Sequence, residues 1–328
     1  MVIFRALLVL LSLIVNVVCG GQYQLKVRLL CRVHFLNESI PVPSILASLR
    51  KPKALFGSSE IQSKRADSNG EVVFGNLDNP DRGYTLRVTY DYSLNNNGFY
   101  VTNDLKVIRT EDFKLQADVS NPVWEILLKR DYCQTYLVMK EAWDDFVSAT
   151  GRQIHPCAMP LYVVPDALTK WLIHSTAVAF ATTDTIRIHD VESADVTTGK
   201  HELAHTLRQC LDGGLFHFLL DIVQYAYPQS HWCGKITNAG FAFNEGFAAY
   251  WASHCIVRPS KSSQVILDEE TLESSEEHVA ASLYQMGIKC HGELNHRRRY
   301  YELMEANPKK IHSLKEFVKL HQERFGCI

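Results

Sequence analysis

The stretch His201-Glu202-Leu203-Ala204-His205, taken with Asn244-Glu245-Gly246-Phe247-Ala248-Ala249-Tyr250 about forty positions later, constrains this chain more than any other feature. Two histidines four residues apart on a helix project from one face about one turn apart. Their imidazoles can meet a single Zn²⁺ while the glutamate between them stands alongside. Two nitrogen ligands leave a tetrahedral ion needing a third protein ligand and one open position for water, and Glu245 offers a carboxylate for the third. The fold must therefore bring two helices, well separated in sequence, side by side.

A length of 328 residues with 46% hydrophobic content is enough for two domains with packed cores. The formal net charge of -2 provides no global field for nucleic acid or an anionic membrane, so no nucleic-acid partner is expected. The run His296-Arg297-Arg298-Arg299 reads as a solvated helix face.

At the N-terminus, Arg5 precedes an apolar run from Ala6 to Val18 and the small residues around Cys19-Gly20. The run is short for a membrane span and reads as a secretory signal over residues 1–20. The expectation is a secreted protein with no stable membrane insertion once the signal is removed. Eight cysteines then remain, an even number that suits disulfides in an oxidising compartment; pairing is open, and a Cys210–Cys233 bond closing the segment between the two motifs is one candidate. Asn37-Glu38-Ser39 is an N-glycosylation acceptor pattern, so Asn37 would carry glycan in a host that glycosylates secreted proteins.

Short alternating stretches punctuated by polar turns fill residues 21–130, among them Leu25–Leu29, Glu71–Phe74, Tyr84–Tyr90 and Trp124–Leu128. They predict an antiparallel β-sandwich. The passage from Ala66 to Tyr90 resembles the transthyretin-like or carboxypeptidase-regulatory type of module, which implies a spacer or a surface that holds a partner or a glycan. Past a boundary near Lys129 to Cys133 the pattern becomes mixed. A helix is expected over Tyr136–Ser148, a strand over Leu161–Val164, a short helix over Asp166–Ile173 and a hairpin of Ala177–Thr182 with Thr185–Ile188. Thr197 or Thr198 offers an N-cap for the histidine helix, and Asp212-Gly213-Gly214 ends it. A further helix follows from Gly214 to Tyr227. The helix bearing Glu245 is expected from about Phe243 to Ile256, then three more over Glu273–Gly287, Glu293–Ala306 and Ser313–Phe325.

The pair HELAH and NEGFAAY resembles the core of the gluzincin metallopeptidases, in the wording of the alanyl aminopeptidase branch, over roughly the middle quarter of the chain. The gap between the motifs is about twenty residues longer than the family's, the upstream G-x-M-E-N exopeptidase motif is missing, and Ala249 stands where thermolysin-like enzymes carry a supporting aspartate. The resemblance implies an α+β chain with a zincin-like catalytic domain over residues 131–328: a small mixed sheet, the two ligand helices and an α-helical C-terminal lobe. It implies one Zn²⁺ per chain held by His201, His205 and Glu245, Glu202 as general base, and a peptide or protein substrate. In that class a strand beside the site pairs with extended substrate, which makes Thr185, Ile186, Arg187 and Ile188 candidates for that edge or else for an interior strand. An oxyanion donor is expected from the C-terminal lobe. Tyr284 is the first candidate, followed by His291, His296 and Tyr300, with His217, Tyr227 and His231 in the insertion. Two other readings share these residues: a secreted binding or adhesion protein that keeps the fold without turnover, and a zinc hydrolase of non-peptide amides. The intact Glu202 favours turnover, since a zinc-stabilised scaffold has no use for a base.

Overall fold

The computed structural model describes residues 23–34, 38–53, 57–77, 83–93, 97–115, 123–165, 179–224, 233–256 and 273–328. The signal segment, Asn37, the 166–173 helix and the candidates Tyr227 and His231 lie outside the described residues. Those described form an α+β chain of twelve strands and seven helices in two compact units. One comprises Met1–Thr89 with Thr110–Lys129, the other Tyr90–Arg109 with Arg130–Ile328.

The first unit has two four-stranded sheets. In one, β1 (Tyr23–Arg32) pairs antiparallel with β2 (Ser39–Pro41) and β5 (Glu71–Leu77) in succession, and parallel with β9 (Trp124–Leu127). The other runs β4 (Ser58–Arg65), β3 (Leu46–Pro52), β6 (Tyr84–Thr89), β8 (Thr110–Leu115), all antiparallel. Alternation puts Val27, Leu29 and Cys31, Val72 and Phe74, and Leu86 and Val88 in the core. The antiparallel expectation is corrected at β9, which returns to β1 after a long excursion and so meets it parallel. Between β4 and β5 the turn Asp67–Gly70 closes on its own side chain: Asp67 Oδ1 accepts from the backbone N–H of Asn69 and of Glu71 at 2.8 and 2.9 Å. Gly70 at φ 71° lies so close to β1 that a Cβ would meet the Leu29 carbonyl at 2.5 Å.

The second unit has one mixed sheet in the order β11 (Ala179–Ala181), β12 (Thr185–Ile188), β10 (Leu161–Pro165), β7 (Phe99–Val101). Sequence reading put residues 90–109 in the β-rich first domain. Here β7 instead lies parallel to β10, and its buried Phe99 packs 5.6 Å from the Tyr136 ring. A three-residue strand whose partner lies about sixty positions on carries no local sign of where it will pair.

The candidate substrate edge is corrected as well. Strand β12 is interior, parallel to β10 on one side and antiparallel to β11 on the other. Ile186 and Ile188 are fully buried, Thr185 Oγ1 donates to Asp184 Oδ1 at 2.7 Å, and Arg187 Nε stands 3.9 Å from Asp104. These four residues build the sheet, and β11 and β7 are its outer strands among the described residues.

Helices α1 (Arg130–Thr150), α2 (Val196–Leu211), α3 (Leu215–Gln224), α4 (Ala239–Trp251), α5 (Glu276–His291), α6 (His296–Ala306) and α7 (Leu314–Phe325) complete this unit. Helix α7 matches its sequence signals: Ser313 caps its start by accepting from Glu316 N, and Gly326 ends it at φ 66°. No described helix is long and apolar enough to cross a membrane.

Small residues set two helix crossings. At Gly199 a Cβ would lie 2.8 Å from Val138 Cγ1 of α1, and at Gly246 one would lie 2.6 Å from Val279 Cβ and 2.9 Å from the Glu276 carbonyl of α5. Gly246 follows Glu245, so widening this crossing also displaces that carboxylate. Gly246→Ala is expected to lower stability by about 1–3 kcal/mol in urea unfolding, because rigid neighbours rather than a flexible side-chain end meet the added methyl.

Candidate metal centre

Helix α2 begins where a capping box fixes it. The Asp195 side chain accepts from Thr198 N at 2.9 Å while Thr198 Oγ1 faces Asp195 N at 3.4 Å, so the helix starts at Val196 and Thr198 is the N3 residue, not the cap. Buried Gln134 of α1 holds the approach, donating to the carbonyls of Val191 and Ala194 at 2.7 and 3.3 Å. Helix α4 begins with Asn238 accepting from Phe241 N at 2.9 Å, four residues before the expected start.

Along the following turns of α2, His201 and His205 meet Glu245 of α4. The distances are 3.2 Å from His201 Nε2 to Glu245 Oε2, 3.1 Å from His205 Nε2 to the same oxygen and 3.0 Å between the two Nε2 atoms. Ligands about 2.0–2.1 Å from a tetrahedral zinc stand about 3.3 Å from one another, close to this triangle. The donor set fits a cation chemically too. Three lone-pair atoms converge on one point, and shared protons cannot satisfy all three contacts at once when both imidazoles are neutral. His201 is the accessible corner, its side chain 21% exposed against 9% for His205 and 8% for Glu245. Burial pushes the Glu245 carboxyl pKa up, but the charge of His205 and the hydrogen bonds of both histidines outweigh it and hold the carboxyl well below its usual range. Glu202, one residue after His201, is buried at 7% exposure.

Three of the oxyanion candidates in the C-terminal lobe have hydrogen-bond partners of their own. His291 Nε2 meets His321 Nε2 at 2.8 Å, Tyr300 donates to the Leu283 carbonyl at 2.8 Å, and His296 Nδ1 is hydrogen-bonded to the Tyr250 hydroxyl. Tyr284 joins that last cluster with its ring 5.9 Å from His296.

All eight cysteines after Cys19 are disulfide-bonded. Cys210 pairs with Cys157 and Cys233 with Cys255, which corrects the expected Cys210–Cys233 bond; Cys290 pairs with Cys327. The Cys157–Cys210 bond ties the end of α2 to a loop whose His155 is buried against the same helix. Cys157 N donates to His155 Nδ1 at 3.4 Å, which leaves the proton on Nε2, 3.1 Å from Thr206 Oγ1; Thr206 in turn donates to the Leu203 carbonyl at 2.8 Å. Neutral His155 satisfies every partner, and burial brings its pKa down to about 3 from 6.5. A histidine whose folded pKa is lowered stays neutral while the unfolded chain takes up a proton. Stability therefore falls as pH drops below about 6.5, by about 2 kcal/mol at pH 5. His155→Gln, which cannot titrate, is expected to flatten this acid limb in urea unfolding followed against pH.

Sequence reading missed a second layer behind the centre. Asn244 Nδ2 donates to Glu245 Oε1 at 3.1 Å, and Asn244 Oδ1 accepts from Arg208 Nη1 at 2.6 Å. Arg208 is 1% exposed, on the same helix as the two histidines. Its Nη2 lies 3.8 Å from Asp221 of α3, and Asp221 Oδ2 lies 3.1 Å from His312 Nδ1. Asn244 was visible inside its motif; nothing in the local pattern links Arg208 with Asp221.

No family model matches the chain, and no curated protein matches it. Among solved structures, a 9R-lipoxygenase from Cyanothece PCC8801 superposes with a TM-score of 0.23 at 9% identity, covering 91% of this chain and 56% of that one. A score that low carries no argument about fold or activity.

Proposed function

We propose that the second unit is a zinc-dependent peptidase of gluzincin type that works in an extracellular setting. The observation that carries this reading is the triangle of His201, His205 and Glu245 donor atoms at 3.0–3.2 Å, with Glu202 beside it on α2. The disulfide-bonded cysteines fit an oxidising compartment, as does the signal-like segment over residues 1–20.

In this reading His201, His205 and Glu245 hold the metal. When bound, zinc supplies a Lewis acid that polarises a substrate carbonyl and acidifies water. Glu202 takes the proton from the attacking water and passes it to the leaving amine as the peptide bond breaks. Buried surroundings keep bulk water from Glu202, and the exposed side of His201 is where substrate enters. Because β12 is interior, an extended substrate backbone would pair in this reading with an outer strand of the sheet, β11 (Ala179–Ala181), which lies next to β12. The test is metal content and hydrolysis of a mixed peptide library by the purified protein. About one zinc per chain with chelator-sensitive cleavage is the expected result, zinc without cleavage would favour the binding-protein reading, and no zinc would sink the proposal.

A further inference from the structure

Behind the centre lies a buried ion cluster that no catalytic step requires. Asp212, Asp221 and His312 offer three ligand-type atoms within 4.8 Å of one another, a grouping that could itself suggest a second metal. Hydrogen bonding argues otherwise. His312 Nε2 faces the Lys309 carbonyl at 3.3 Å and its Nδ1 faces Asp221 Oδ2 at 3.1 Å, so both ring nitrogens face acceptors and both carry protons. The hydrogen bond to Asp221 raises the His312 pKa in the same sense, against burial. With Arg208 the cluster is two cations facing two carboxylates. Lys309 N further fixes Asp212 at 2.9 Å, and His312 N donates to Glu316 of α7 at 2.7 Å. A balanced group of this kind leaves no vacancy for a metal, and what it does hold is the guanidinium of Arg208.

Arg208 touches the centre through one residue. An asparagine amide can sit either way round, and only one way is useful to a carboxylate ligand. Because Arg208 donates to Asn244 Oδ1 at 2.6 Å, the amide NH₂ must point at Glu245 Oε1, where it donates at 3.1 Å. That bond occupies the outer oxygen of Glu245 and leaves Oε2 facing the two imidazoles. A flipped amide would set oxygen against carboxylate and NH₂ against guanidinium, two repulsions in a site shielded from water.

Resting on the zinc reading, we propose that Asn244 and Arg208 are positioning residues for Glu245, and that the Asp212–Asp221–His312 cluster anchors them. They support a ligand by a route different from the aspartate that Ala249 replaces, since Ala249 has no polar group to offer. The arrangement also accounts for the long insertion between the two motifs: α3, which lies within it, supplies Asp221.

The test compares wild type with Asn244→Ala, Asn244→Asp and Arg208→Lys in the full chain. Zinc affinity is read by chelator competition, and ligand geometry by the visible absorption of the Co²⁺-substituted protein. Asn244→Ala is expected to weaken zinc binding about 10–100-fold and to shift the Co²⁺ bands. Asn244→Asp keeps the size and the contact with Arg208 but sets an oxygen against Glu245, so it should weaken binding at least as much. Arg208→Lys, which keeps charge without the planar fork, should fall between. Should Asn244→Ala fail to fold, Asn244→Asp carries the test alone. Wild-type affinity and spectrum in Asn244→Asp would overturn the positioning role while leaving the zinc reading intact. A wild-type protein that binds no zinc would overturn both.

Discussion

Glu202→Gln is expected to keep its zinc and lose turnover, with kcat down by about 10²–10⁴-fold and KM little changed. Glutamine matches glutamate in size, so a residue only 7% exposed can be exchanged without opening a cavity. The group of ligand-type atoms is formed by His201, His205 and Glu245, so the exchange at Glu202 keeps the proposed ligand set. What is lost is a group able to hold a proton between the attack of water and the departure of the amine. Metal analysis beside single-turnover cleavage separates the possibilities. Full zinc with no cleavage is the predicted pattern, full zinc with wild-type cleavage would place the base elsewhere, and loss of zinc would show that Glu202 serves the ligands instead.

How far this pattern could be read in advance depended on the range over which each feature is encoded. The H-E-x-x-H spacing is local, and one helical turn brings its histidines together whatever the rest of the chain does. The end signals of α7 at Ser313 and Gly326 are likewise local and lie where the sequence puts them. Misreadings cluster where the deciding partner is distant. Thr197 and Thr198 look like caps until Asp195 accepts the Thr198 N–H and takes that role. Thr185–Ile188 looks like an edge, having strand composition at a hairpin, but β10 covers its other side. Disulfide pairing is the same problem, since Cys210 lies nearer in sequence to Cys233 than to Cys157 yet bonds to the latter. The buried Arg208 is the extreme case. A lone arginine near the end of a helix reads as a surface charge, and only the fold brings Asp221 and Asn244 to it. Buried charges require partners, and neither partner is adjacent to it in sequence.

Glu245→Ala should remove the metal, and with it all activity, while leaving α4 in place. A structural zinc site is worth about 10–16 kcal/mol across its ligands, so one of the three protein ligands here would carry about 3–5 kcal/mol, which is roughly 100-fold or more in affinity. The loss should exceed that of either Asn244 variant, because those weaken the aim of the carboxylate and this one removes it. The helix itself depends on other contacts: its cap at Asn238, the crossing at Gly246 and the buried rings of Phe243 and Phe247 are untouched by truncating Glu245. Circular dichroism of the metal-free proteins should therefore overlay with wild type while chelator competition separates them. Near-native zinc affinity in Glu245→Ala would mean that the third ligand is another residue. In that case the short His201–Glu245 and His205–Glu245 contacts are ion pairs of the protein alone, and the peptidase reading loses its centre.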